Sequence, residues 1–192
     1  MFKTVDRCLW PNNDELMIEY HDKEWGKPCH DDRLHFEYLI LDTFQTGLSW
    51  RTILHKRENF RLAFSNFNPK AIAKYDEKKV KSLMSDKGII RNRLKIETAV
   101  KNAKAFLEVQ KEFDAFDKYI WKFTGHKTLD NKQKSASNMR SKSRESEAMS
   151  RDLKKRGFTF VGSTICYAYM QGAGLINDHL VSCFRHKEVA RD

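Results

Sequence analysis

Cysteine and histidine occur near both ends of the 192-residue chain, in the combination that structural zinc sites use. Cys8 and His21 lie near the start, and His179 and Cys183 lie near the end. Zn²⁺ in such sites is held tetrahedrally by four ligands, and a four-residue spacing on a helix would place His179 and Cys183 on one face. The sequence therefore predicts one structural Zn²⁺ per chain, tying the termini together. The alternative is two free cysteines and two unrelated histidines.

Aromatic residues accompany these candidate ligands. Trp10, Tyr20 and Trp25 lie within the same N-terminal stretch. Aromatic residues in a helical protein are usually core, and five phenylalanines are interpreted that way: Phe36, Phe44, Phe60, Phe64 and Phe106. Tryptophan and tyrosine beside polar residues instead suggest a rim around a flat ligand.

The charge balance favours a polyanionic partner. Lysine and arginine total 36 against 26 aspartates and glutamates, which gives a formal net charge of +10. Such a balance is typical of nucleic-acid binding, although a solvated basic surface is the alternative. No apolar run approaches the roughly 18 residues of a membrane span, and the start lacks a signal-peptide apolar region. We expect a cytoplasmic protein without disulfide bonds or membrane association.

Helical periodicity and the scarcity of proline and glycine predict an all-α fold. Asp31 or Asp32 can cap a helix that ends near Gly47, and Asn68 followed by Pro69 begins another. The strongest helix signal is the spacing of four apolar residues, namely Ile96, Val100, Ala103 and Leu107. We expect one domain over 1–192, with a helical core at about 31–174 and a zinc-binding annex from about 1–26 and 175–192.

Three segments of the chain are rich in basic residues. The short turn over 86–93 carries Arg91 and Arg93 and can direct backbone amides at a DNA phosphate, or it is an ordinary helix connection. Lys154, Lys155 and Arg156 form a second basic cluster. The stretch 125–147, rich in Lys, Ser, Asn and Arg, is predicted to be a long exposed loop.

Several motifs in a fixed order give the sequence a family resemblance. They are Arg7-Cys8-x-Trp10, Tyr20-His21-Asp22-x-Glu24-Trp25-Gly26, Gln45-x-Gly47-Leu48-Ser49-Trp50, Lys56-Arg57-Glu58-Asn59, Gly88-Ile89-Ile90-Arg91, Lys154-Lys155-Arg156-Gly157-Phe158 and Asn177-Asp178-His179. Together they resemble 3-methyladenine DNA glycosylase I from about residue 7 to residue 183, and the resemblance is weakest in the basic loop. It implies a helix-hairpin-helix glycosylase fold with a zinc annex.

The resemblance assigns roles to individual positions. Cys8, His21, His179 and Cys183 match the zinc ligands of the family. The aromatic residues of the base pocket are matched by Tyr20, Trp25 and Trp50, with Trp10 nearby. Gly47 and Leu48 match the segment that enters DNA where the damaged nucleotide has been flipped out, although packing at a helix end is the alternative for Leu48.

Asp42 is a departure from the family pattern. The family has glutamate at this position, where the carboxylate reads the hydrogen-bonding edge of the base. Aspartate keeps the charge but is one methylene shorter, so a water bridges to the base, the pocket has shifted, or the specificity has changed. Glu37, five residues earlier, lies on another helical face and is a poor substitute.

The expected activity is therefore monofunctional hydrolysis of the bond between deoxyribose and 3-methyladenine, with Asp42 as the catalytic carboxylate. The expected partner is double-stranded DNA containing alkylated bases, and the protein is expected to act as a monomer. Two alternatives remain: a glycosylase with a changed range of alkylated bases, and a zinc-stabilised module that binds damaged DNA without excising a base.

Overall fold

The computed structural model describes residues 6–189, and these contain eleven α-helices and two short strands. The helices are α1 Glu15–Lys23, α2 Asp32–Gln45, α3 Trp50–Leu54, α4 Arg57–Ala63, α5 Pro69–Ile72, α6 Glu77–Ser85, α7 Arg93–Phe113, α8 Phe116–Trp121, α9 Arg144–Lys155, α10 Ser163–Gly172 and α11 Phe184–Glu188. The strands are β1 Leu129–Asp130 and β2 Ile176–Asn177, and 3-10 turns lie at Ser65–Phe67, Lys122–Thr124 and Ala136–Asn138. The all-α prediction is confirmed.

Polar caps define the starts of the main helices. The side chain of Asp31 accepts a hydrogen bond from the amide of Leu34 and begins α2, as predicted. Asn68 precedes Pro69 at the start of α5, and Asn92 caps α7 through the amide of Lys95. Each cap satisfies a backbone donor that has no partner inside its helix.

The 21-residue helix α7 lies in the main hydrophobic core. Its residues Ile96, Ala103 and Phe106 are fully buried, and the ring of Phe106 stacks on Phe116 with centroids 4.1 Å apart. All five phenylalanines interpreted as core are fully buried. Helix α7 also packs against α2, the helix that carries Asp42.

A second, smaller hydrophobic cluster joins the two ends of the chain. Its buried members are Cys8, Met17, Tyr20, Trp25, Leu54 and Cys183, and its partly buried members are Trp10, Trp50, Met139, Leu180 and Phe184. The N-terminal and C-terminal segments therefore pack together beside the main core, and Trp50 packs against both clusters.

The predicted exposed loop over 125–147 requires correction. Most of its side chains are exposed, but β1 pairs in parallel with β2, and Gln133 forms a further bridge to Leu180. Its last residues belong to α9, which begins at Arg144. The anchors are backbone pairs and polar side chains, which a search for apolar periodicity does not detect.

In the described range 6–189, no helix combines the length and apolar character that crossing a membrane requires.

Candidate functional site

Cys8, His21, His179 and Cys183 are all buried, and their four candidate ligand atoms lie within 4.8 Å of one another. The Sγ atom of Cys183 is 3.5 Å from Nε2 of His21 and 3.7 Å from Nδ1 of His179. The Sγ atom of Cys8 is 3.8 Å from the same Nδ1. Tetrahedral Zn²⁺ with ordinary bond lengths would hold neighbouring sulfur and nitrogen ligands about 3.6 Å apart. The donor set and its spacing fit a zinc ion.

The route by which His179 and Cys183 meet differs from the prediction. Instead of sharing a helix, they lie in the turn between β2 and α11, where Cys183 is the residue that precedes the helix. The amide of Cys183 donates to the carbonyl of Leu180 at 2.7 Å, which closes the turn. The predicted helical spacing was wrong, but the turn brings both side chains to the same point.

Hydrogen bonds outside this cluster orient both histidine rings. Nδ1 of His21 lies 2.7 Å from the carboxylate of Asp22, and Nε2 of His179 lies 2.8 Å from the carbonyl oxygen of Trp25. Each ring therefore presents its other nitrogen to the cluster, the pattern that metal-binding histidines show. Hydrogen bonding with Cys8, His179 and His21 outweighs burial and lowers the pKa of Cys183.

Beside the Cys/His cluster is a cavity of about 250 Å³. It is lined by Cys8, Leu9, Trp10, Tyr20, Trp25, Asp42, Gln45, Trp50, Ala136, Met139, Ala168, Gln171 and Leu180. The volume is below the roughly 300–1,000 Å³ of typical small-molecule pockets, which suits a small planar ligand such as one base.

Four aromatic rings form much of this cavity, and they are the four predicted as base-binding. Trp10 and Trp25 meet edge to face with centroids 5.1 Å apart, and Tyr20 and Trp50 meet at 5.2 Å. The indole Nε1 atoms of Trp10 and Trp50 are buried and have no hydrogen-bond partner among the described residues.

Asp42 lies on α2 and contributes a carboxyl group to the cavity. Its side chain is 5% exposed and forms no hydrogen bond with any residue between 6 and 189. Burial raises the pKa of Asp42 well above its usual value. A buried, unpartnered carboxyl group beside aromatic rings can read a polar edge of a flat ligand.

The end of α2 forms the edge of the site. Gly47 adopts a φ of +80°, which suits glycine, and Leu48 beyond it is 41% exposed. The buried ammonium of Lys95 donates to the carbonyl oxygens of Phe44 at 2.8 Å and Thr46 at 2.6 Å. These bonds satisfy the C-terminal carbonyls of α2 and fix the turn that presents Leu48.

The predicted DNA-binding cations occupy different environments. Arg91 is exposed and forms no ion pair within the described range. Arg93 instead pairs with Glu77 at 2.7 Å and with Glu97 at 2.8 Å. In the other predicted cluster, Lys154 and Lys155 are exposed, whereas Arg156 pairs with Glu112 and Asp152.

Several cavity residues were missed by sequence reasoning. Gln45 begins the motif Gln45-x-Gly47-Leu48-Ser49-Trp50, and its place in that motif is the sequence signal that could have identified it. Gln171 and Ala168 come from α10, whereas Ala136 and Met139 come from the stretch predicted as an exposed loop. No local pattern marks these last two residues, because their position depends on pairing with a distant segment.

Comparison with known proteins gives the same result over nearly the whole chain. Residues 10–186 match the methyladenine glycosylase family. The DNA-3-methyladenine glycosylase of Haemophilus influenzae is 46% identical over 92% of this chain and 96% of its own length. DNA-3-methyladenine glycosylase 1 of Escherichia coli is 44% identical over 93% of this chain and 96% of its own length.

A solved structure supports the same conclusion. The structure describing 3-methyladenine recognition by 3-methyladenine DNA glycosylase I of Staphylococcus aureus superposes with a TM-score of 0.91 at 31% identity. The match covers 94% of this chain and 96% of the other. Sequence and fold agree, and the chain belongs to the methyladenine glycosylase family.

Proposed function

We propose that this protein is a base-excision repair DNA glycosylase that releases 3-methyladenine from alkylated DNA and leaves an abasic site. The observation that carries the proposal is the cavity in which aromatic rings surround the unpartnered carboxyl group of Asp42. The relatives named as DNA-3-methyladenine glycosylases, each matched over nearly its full length, support the same activity.

The aromatic rings select a methylated base through its charge. Methylation at N3 makes adenine in DNA cationic, and a cation over an aromatic ring gains about 0.5–2 kcal/mol. Tyr20, Trp25 and Trp50 supply such rings at the cavity. Neutral adenine lacks this term and gains only stacking. The same charge favours the ionised form of Asp42, against the effect of its burial.

Asp42 takes the reading role in this proposal. Its ionised form accepts hydrogen bonds, and its neutral form both donates and accepts. Because the side chain is one methylene shorter than glutamate, a water between its oxygens and the base can make up the missing reach. Trp10 and Trp50 add two buried indole donors that have no partner among the described residues.

Cleavage requires little chemical assistance at the base. When the glycosidic bond breaks, the bonding electrons move to the cationic base, which leaves as neutral 3-methyladenine. The positive charge develops on the sugar, water adds at C1′, and a proton is lost to solvent. The negative field of ionised Asp42 stabilises that developing charge, and the cavity holds the departing base.

The base must leave the stack to reach the cavity, and the turn after α2 is suited to support this. Leu48 is an exposed apolar side chain beside the cavity. An apolar side chain inserted into the vacated stack offsets part of an unstacking cost of a few kcal/mol. Helix α6, the turn over 86–92 and helix α7 form a helix-hairpin-helix unit in this proposal, and Arg91 on that turn meets the DNA backbone.

The Cys/His cluster is proposed to hold one structural Zn²⁺. Four protein ligands leave no open position for water, so the ion fixes the terminal segments and supplies no hydrolytic chemistry. Cys183→Ser is expected to lower zinc content and melting temperature together, measured by atomic emission and calorimetry. Cys166→Ser, a buried cysteine of α10 outside the cluster, is the control for zinc content. Full zinc content in Cys183→Ser with unchanged melting would contradict the assignment.

Base release tests the whole proposal. The protein is incubated with methylated duplex DNA, and released bases are resolved by chromatography. We expect 3-methyladenine as the main product and abasic sites in equal amount. Release of 3-methylguanine in preference would indicate a changed substrate range, for which the shorter Asp42 is the relevant feature. Binding without release of any base would favour a damage-binding module instead.

A further inference from the structure

One wall of the cavity comes from the stretch 125–147, which the sequence predicted to be an exposed loop. Ala136 and Met139, both from the segment 133–140, line the same cavity as Asp42 and the aromatic rings. The remaining lining residues come from the terminal segments, α1, α2, α3 and α10. This wall therefore belongs to neither the Cys/His cluster nor the helical core.

The segment 133–140 is held in place at its start by three contacts. The carbonyl oxygen of Gln133 accepts a hydrogen bond from the amide of Val181 at 2.8 Å. Its side-chain amide donates to the carboxylate of Asp178 at 3.2 Å, and Asn131 donates to the same carboxylate at 2.8 Å. Gln133 is 6% exposed. Since Asp178 and Val181 flank His179, this anchor is shared with the Cys/His cluster.

A 3-10 turn over Ala136–Asn138 then directs Met139 towards the aromatic rings. The amide of Met139 closes the turn on the carbonyl of Ala136 at 3.2 Å, and the backbone becomes extended at Met139. The Met139 side chain is half-buried and packs against the cluster that contains Tyr20, Trp25 and Trp50. A thioether is polarisable and conforms to aromatic surfaces, so it suits contact with a flat base.

We propose that Met139, with Ala136 at the rim, contacts the extruded base and limits the size of the alkyl group that the cavity admits. This inference rests on the proposed glycosylase function. Met139 belongs to the small cluster at the cavity, so a change at this position alters the space available to the base and leaves the main core intact.

Two variants test the size limit from opposite directions. Met139→Ala enlarges the cavity, and Ala136→Leu adds volume at an exposed position where folding is not at stake. Each is assayed for release of 3-methyladenine and 3-ethyladenine from alkylated DNA. Met139→Ala is expected to raise the ethyl-to-methyl release ratio about tenfold, the low end of what one methylene contributes to discrimination in an apolar pocket. Ala136→Leu is expected to lower that ratio.

Binding of free 3-methyladenine, followed by tryptophan fluorescence, gives a second measurement that does not involve DNA. Met139→Ala is expected to weaken it several-fold, and Met139→Leu to restore it because the volume is conserved. Met84→Ala is the matched control, since Met84 is another partly buried methionine, on α6, and packs on the main core. It should leave both the ratio and the free-base affinity at the parent values.

The outcomes separate this inference from the proposed function. A parent protein that releases no 3-methyladenine contradicts the proposed function. If the parent releases it while Met139→Ala and Ala136→Leu both keep the parent ratio, the size-limit inference is overturned and the glycosylase function stands. Equal loss of both products in Met139→Ala, with free-base affinity at the parent value, would also overturn it, because the substitution would then act outside the base-binding cavity.

Discussion

Helix α2 carries two buried carboxyl groups, and they have opposite environments. Glu37 is fully buried and accepts hydrogen bonds from three arginines, namely Arg33 at 2.8 Å, Arg61 at 2.7 Å, and Arg57. Asp42 is 5% exposed, has no such partner in the described chain, and faces a cavity. Burial acts on both groups, but only at Glu37 do arginine charges outweigh it and hold the pKa below its usual range.

The difference separates a structural charge from one available to a ligand. A buried charge is tolerated when neighbouring groups compensate it, and its removal then leaves the partners unpaired. A buried carboxyl group without partners costs stability and is retained where a ligand supplies the missing interactions. Glu37 and Asp42 lie five residues apart on one helix, so their different partners, not their burial, decide their roles.

The largest expected effect comes from breaking the Glu37 network. Glu37→Gln leaves the buried guanidinium of Arg57 without its full countercharge, and loss of one member of a buried pair costs about 3–5 kcal/mol. Urea unfolding measures the free energy of unfolding. Glu58→Gln is the control, because this exposed partner of Arg61 should change stability by less than about 1 kcal/mol. If the two variants lowered the free energy of unfolding equally, the assignment of a structural role to Glu37 would be wrong.

Asp42 should show the reverse pattern, with loss of function and no loss of stability. Asp42→Asn keeps the shape and removes the charge, so binding of the cationic base should weaken by about 1.5–3 kcal/mol, the value of a hydrogen bond to a charged group. Asp42→Glu should preserve or raise excision of 3-methyladenine, because it restores the reach of the family glutamate. Excision at the parent rate by Asp42→Asn, with an inactive Asp42→Glu, would assign the reading role to another group.

The pH dependence of stability distinguishes the same two groups by sign. The pKa of Glu37 is lowered on folding, so its contribution is present above its unfolded value of about 4.5 and is lost as pH falls through the folded pKa. The pKa of Asp42 is raised on folding, so the contribution of this group to stability is greatest below its unfolded pKa of about 3.8. That contribution is lost as pH rises through the folded pKa. Asp42→Asn should remove that second loss.

Unfolding of Asp42→Asn and the parent across a pH series measures this effect. The stability of the variant relative to the parent should increase as pH rises from about 4, at up to about 1.4 kcal/mol per pH unit. A difference that stays constant with pH would indicate that the pKa of Asp42 is the same in the folded and unfolded states.

Local patterns were sufficient to predict most of the helical core. The apolar spacing along α7, the Asp31 cap of α2 and the Asn68-Pro69 start of α5 each involve residues within a few positions of one another. The structure confirms all three. They could be predicted because the hydrogen bonds and the burial that define each feature lie within a single helix.

The parts that were not predicted depend on distant pairings. The anchor between Gln133 and Asp178 joins residues 45 positions apart, and His179 reaches the Cys/His cluster on a turn where a helix was expected. Met139 lines the cavity for the same reason. The family resemblance identified Asp42, but its lack of a partner is a property of the folded cavity that no sequence motif contains.

The comparison between partnered and unpartnered charges also applies to the DNA-binding cations. Arg91 is exposed and has no ion pair within the described range, whereas Arg93, two residues later, already binds Glu77 and Glu97. To bind a phosphate, Arg93 must give up its ion pairs with these carboxylates, and this loss reduces its contribution to the free energy of DNA binding. Arg91 has no such exchange to make.

Salt titrations of undamaged duplex binding, followed by fluorescence anisotropy, measure this difference, which is the smallest of those expected. Arg91→Gln should reduce the log-log salt slope by about 0.9, the value for one phosphate contact, and Arg93→Gln should reduce it by clearly less. The slope is the relevant quantity because Glu77, once unpaired in Arg93→Gln, would repel DNA and weaken binding even if Arg93 touched no phosphate. A larger change in slope for Arg93→Gln than for Arg91→Gln would show that a cation in an internal ion pair can still bind a DNA phosphate. The distinction between partnered and unpartnered charges, drawn from Glu37 and Asp42, would then hold only for buried groups.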